Sequence, residues 1–68
     1  MNNDSRKKNL AALERRRGRL SQRLTEYRPD GDMGYTKAEL RAVNYALRIL
    51  DAAQREGVLM DLEQAAGL

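Results

Sequence analysis

Leu10, Leu13, Arg17, Leu20, Leu24 and Tyr27 recur at alternating spacings of three and four residues. That alternation keeps one face of an α-helix apolar for nearly three heptads. It fits no strand, because strand side chains change face at every residue. The chain is thereby committed to a long first helix that must bury its seam. Asn3, Asp4 or Ser5 can cap its start, since a short side-chain oxygen satisfies an orphan backbone donor there. The expected helix spans residues 5–28, with residues 1–4 frayed. Its stop is Arg28-Pro29, because a residue before proline is pushed out of the helical region.

Pro29-Asp30-Gly31-Asp32-Met33-Gly34 is turn chemistry throughout and assigns residues 29–35 to an inter-helix loop. Thr36-Lys37-Ala38-Glu39 then reads as a capping box, with Tyr35 and Leu40 placed as a hydrophobic staple. This predicts a second helix over residues 36–56, closed by Gly57 in the left-handed conformation that glycine adopts freely. A short third helix is expected over residues 59–66, with Leu59, Leu62 and Ala66 on one face. The fold class is all-α: an antiparallel helical hairpin with a short C-terminal third helix, in a single domain over residues 1–68.

The second helix carries more apolar surface than one neighbour can cover. Leu40, Val43, Leu47 and Leu50 form its main stripe, and Ala42, Tyr45, Ala46, Ile49, Ala52 and Ala53 widen it. The apolar arc is about twice the ~100° stripe of an ordinary surface helix. Leu40, Val43, Tyr45, Leu47, Ile49 and Leu50 are therefore candidates for core or self-association. A homodimeric bundle is the expected way to cover them, with closure by the third helix as the alternative. Length points the same way. A 68-residue chain is marginal as a monomer, and with no cysteine it has no disulfide to support it.

Charge is distributed unevenly. Residues 1–28 hold nine basic groups against three carboxylates, a net of +6, and residues 29–68 hold four against seven, a net of −3. On the first helix Lys8, Arg15 and Arg19 line up with Glu26 opposite the leucine seam, with Arg16 and Arg23 beside them. Lys8, Arg15, Arg16, Arg19 and Arg23 are the candidate partner-binding face. Arginine grips carboxylates and phosphates bidentately, so the face suits an acidic protein or, as the alternative, DNA or RNA. A second alternative is purely structural, with the arginines joining subunits. Arg17 interrupts the seam and can snorkel or meet a carboxylate such as Asp51. Gly18, mid-helix, costs roughly 1 kcal/mol against alanine.

Catalysis finds little to work with. The chain has neither histidine nor cysteine, so Ser5, Ser21, Thr25 and Thr36 lack the usual base. Asp30-Gly31-Asp32 resembles the start of a calcium loop only superficially, because the twelfth position is Arg41 where a glutamate is required. The expectation is a non-enzymatic adaptor or regulator with no cofactor, no metal and no small-molecule substrate. The polar N-terminus and the lack of a long apolar run lead to an expected cytoplasmic location without membrane contact.

Overall fold

The computed structural model describes residues 2–26 and 34–68, and over these the chain is all-helical. Three helices follow in order: α1 (Asn3–Thr25), α2 (Gly34–Arg55) and α3 (Leu59–Ala65). The α1 start lies earlier than the sequence suggests. Extended Asn2 is the cap, and its Oδ1 accepts from the Ser5 amide at 2.8 Å. Asp4 adds a favourable charge to the first turn. The α1 end also falls early. Thr25 Oγ1 donates to the Gln22 carbonyl at 2.7 Å, a side-chain bond that competes with the helical ladder, and Glu26 is already extended. Tyr27, the Arg28-Pro29 stop and the turn through Met33 lie outside the described residues.

The capping box expected at Thr36 is not made. Gly34 already belongs to α2, so Thr36 is its third residue and residues 34 and 35 are helix, not loop. Glu39 turns across the hairpin to Arg16 instead of back to the Thr36 amide. A charge-assisted bidentate pair outcompetes a single capping bond. Tyr35 is 88% exposed and staples nothing.

The far end of α2 follows the sequence closely. Gly57 has φ +74°, its amide donates to the Gln54 carbonyl at 3.2 Å, and the Val58 amide donates to the Ala53 carbonyl at 3.0 Å. This is a Schellman motif. It recurs ten residues later, where Gly67 has φ +79° and the Leu68 amide donates to the Glu63 carbonyl at 2.9 Å. Val58 closes α2 and opens α3 in one step, which folds α3 directly back.

α1 and α2 pack against each other along their lengths. They are antiparallel: Arg16 meets Glu39 near the start of α2, while Leu10 lies beside Leu47 and Gln54 towards its end. Leu20 is fully buried, and Ala53 and Leu59 are the other buried apolar residues among those described. Leu40, Val43, Leu47 and Leu50 are half-buried on the α1 side of α2. The molecule measures 46 × 21 × 18 Å and exposes 5612 Å². A compact monomer of this mass exposes about 4,400 Å². Two helices side by side leave their outer flanks open, and α3 covers only one end.

α3 docks through a different face from the expected one. Leu59 and Glu63 are buried, whereas Leu62 is 51% exposed. The bidentate pair of Glu63 with Arg6 of α1 turns the helix this way. Around that junction Leu10, Leu13, Leu50, Leu59 and Leu68 line a half-open pocket of about 180 Å³. α3 therefore seals the open end of the hairpin and does not reach Tyr45 or Ile49.

Candidate functional site

The basic groups of α1 divide into two sets. Arg6 and Arg16 are used internally. Arg6 Nε donates to both Glu63 carboxylate oxygens at 3.0 Å, its Nη2 donates to Oε1, and its Nη1 donates to Asn3 Oδ1 at 2.8 Å. Each of the three nitrogens of this mostly buried guanidinium donates to an acceptor, so the pair ties the two ends of the chain together. Arg16 grips Glu39 at 2.7 and 3.0 Å in a more exposed setting. Both carboxyls are held below the usual carboxylate range. For Glu63 the Arg6 hydrogen bonds are the main cause, opposed by desolvation and aided by the charges of Arg6 and the N-terminus. For Glu39 the Arg16 hydrogen bonds come first, with the same opposition and further help from the charges of Arg16 and Arg23.

The second set faces water. Lys8, Arg15, Arg19 and Arg23 are exposed, and Arg23, seven residues after Arg16, lies on the flank whose charge reaches Glu39 of α2. At 1.5 Å per residue the row from Lys8 to Arg23 is about 22 Å long. Among the described residues none of the four makes an intramolecular ion pair or hydrogen bond. Ala12, Arg15, Arg16 and Arg19 line a shallow open depression of about 250 Å³. Of the five residues expected on this face, Arg15, Arg16 and Arg19 line one depression, but the Arg16 guanidinium is taken by Glu39, whose carboxyl also feels the charge of Arg23.

Arg17 lies in the groove between α1 and α2 with Glu14, Arg48 and Asp51. Asp51 is already paired with Arg55, one turn along α2, at 3.1 Å. The Arg17–Asp51 tie suggested by the sequence is therefore replaced by a local i,i+4 pair. Arg17 is exposed, which fits snorkelling from a seam position. Gly18 meets nothing: a Cβ added there has no neighbour within 4 Å, so the glycine serves no close approach within the chain.

The six candidates on α2 also separate. Leu40, Val43, Leu47 and Leu50 belong to the hairpin interior, while Tyr45 and Ile49 point outward, 71% and 51% exposed. Tyr45 and Ile49 share an open surface of about 450 Å³ with Arg41, Asn44 and Arg48. The Arg6–Glu63 tie was not foreseeable from periodicity, because its partners lie 57 positions apart. The one available signal was a glutamate at the i+4 position from Leu59, on the side where a helix must pack.

Among the described residues no helix is long and apolar enough to cross a membrane. Comparisons with protein-family models, with curated proteins and with solved structures find no match for this chain.

Proposed function

We propose that the protein is a non-enzymatic adaptor or regulator that binds a partner protein with an acidic surface through Lys8, Arg15, Arg19 and Arg23. One observation carries this reading: these cations are exposed and make no ion pair or hydrogen bond among the described residues, while Glu39, Asp51 and Glu63 are paired with Arg16, Arg55 and Arg6, and only Arg23 also acts on one of them, Glu39. Among the described residues the carboxylates of the second half therefore form no ion pair with the row. Asp4 and Glu26 lie near its two ends. Mixed charge of that kind suits a protein surface better than a uniform line of phosphates, which the carboxylates repel.

The test is fluorescence anisotropy with two labelled probes, an acidic helical peptide and a DNA duplex. Each is titrated with the wild type and with the Arg15→Glu/Arg19→Glu/Arg23→Glu variant. The expected result is peptide binding that the variant weakens by about tenfold or more, since three exposed pairs at about 0.5 kcal/mol each sum to one decade. Binding of the duplex alone would transfer the face to nucleic acid, and peptide binding unchanged by the reversal would remove the face from function. Self-association, the other expectation from the sequence, uses a different surface on α2. It neither requires nor excludes this reading.

A further inference from the structure

The outward side of α2 has a period of its own. Ala38, Ala42, Tyr45, Ile49, Ala52 and Glu56 are spaced four, three, four, three and four apart, and all six are exposed. This is the spacing of a helix–helix seam, repeated on the side of α2 that meets no helix of its own chain. Its two large side chains sit at the centre between alanines, so a helix laid along it can come close and still find two anchors. One flank is cationic. Arg41, Arg48 and Arg55 follow at intervals of seven, and Arg41 and Arg48 have no ion-pair partner among the described residues. The other edge is uncharged and runs into the packed interior, with Ala46 half-buried and Ala53 buried.

A second copy of the chain fits this seam poorly. An antiparallel pairing centred between Tyr45 and Ile49 matches large side chains with large and Ala42 with Ala52. It also brings like flanks together: Arg48 faces its own counterpart, and Arg41 faces Arg55. A parallel pairing relieves the arginines but stacks Glu56 on Glu56 within the seam. Like charges held opposite one another at these positions select against a pairing.

We infer that the outward seam of α2 is a docking site for an amphipathic helix of a different protein, apolar at three–four spacing and carrying carboxylates along the edge that meets Arg41 and Arg48. Such a helix covers Tyr45 and Ile49 and neutralises the free arginines in one step, which neither self-pairing does. Tyrosine and arginine are also the residue types that dominate binding energy at protein interfaces. The site is separate from the basic row of α1, so the two readings fail independently.

The experiment uses the full chain and two designed helical peptides with identical leucine seams, one flanked by glutamate and one by lysine. Binding is followed by titration calorimetry, and mass by light scattering. The glutamate peptide is expected to bind one per chain. Ile49→Asp should abolish binding, and Arg41→Glu/Arg48→Glu should weaken it by about tenfold, as exposed ion pairs allow. The Arg15→Glu/Arg19→Glu/Arg23→Glu variant should bind normally, which keeps this result apart from the fate of the α1 face. Equal binding of both peptides would overturn the charge argument. A dimer that Ile49→Asp dissociates, with no peptide bound, would show a second copy to be the occupant and overturn the inference. No binding by a monomeric protein would overturn it as well.

Discussion

α2 carries two apolar seams of the same period and opposite fate. The inward seam, Leu40, Val43, Leu47 and Leu50, meets the leucines of α1 and is half-buried. The outward seam, centred on Tyr45 and Ile49, stays in water. Spacing does not distinguish them, but side-chain volume does. Four branched aliphatics in succession present a continuous ridge, whereas the outward seam thins to alanine on both sides of its centre. The hairpin partner takes the ridge that offers more apolar area to remove from water. A three–four repeat thus locates a face, and the competition among faces decides which one is buried.

The same substitution placed two residues apart tests this most directly. Leu47→Asp puts a charge into the inward seam without a partner and should cost about 3 kcal/mol or more. A domain of this size has little more than that in total, so loss of the cooperative thermal transition in circular dichroism is expected. Ile49→Asp should change stability by less than about 1 kcal/mol, as substitutions at exposed positions do. Equal melting of the two variants would mean that the seams are not distinct.

The next effect in size concerns the end that α3 seals. Arg6→Ala leaves Glu63 buried without its guanidinium, and an uncompensated buried carboxylate is unfavourable. The seven-residue α3 should detach while α1 and α2 persist, seen as a partial loss of helical signal and faster amide exchange over residues 59–65. Acid should do the same to the wild type. Glu63 and Glu39 both titrate below their ordinary value in the fold. The stability they contribute is fully present above the unfolded pKa of about 4.3 and is lost as pH falls through the lowered folded values. A melting temperature that is flat from neutral pH to about 5 and then declines is the expected profile. Arg6→Met/Glu63→Leu should flatten the part of that decline that belongs to α3.

The smallest effect comes from the backbone. Gly18 lies within α1 with open space around its Cα, so Gly18→Ala should stabilise by about 0.5–1 kcal/mol. Gly57→Ala, at φ +74°, should destabilise by about 1 kcal/mol, since a left-handed turn disfavours any Cβ. Opposite signs in thermal melts would confirm that the glycines have different roles, one a local terminator and the other a position with no contact to protect.

Some of this architecture was legible residue by residue. Gly57 follows an apolar-periodic run, and the left-handed turn that closes α2 is a local consequence of its missing side chain. The leucine seam of α1 and the apolar stripe of α2 foretold a hairpin, because each needs the other. The basic row was equally plain, since Lys8, Arg15 and Arg19 lie opposite the leucines on a helical wheel, with Arg23 beside them. Thr36 misled because a capping box and a long-range ion pair compete for the same carboxylate, and only the approach of Arg16 settles which forms. α3 misled for a related reason. Leu59, Leu62 and Ala66 form the more apolar face, yet Glu63 is buried because Arg6 waits at the junction.

By itself, then, the sequence determined the number and order of helices, the turn that ends α2, and the separation of a basic face from an apolar one. Those properties follow from spacing and local backbone chemistry, which act over a few residues. Tertiary structure decided which arginines are spent and which are free, which of α2's two seams becomes interior, and which face α3 turns inward. Each of those outcomes depends on groups far apart in the chain competing for one partner, and the winner is fixed only when the helices pack.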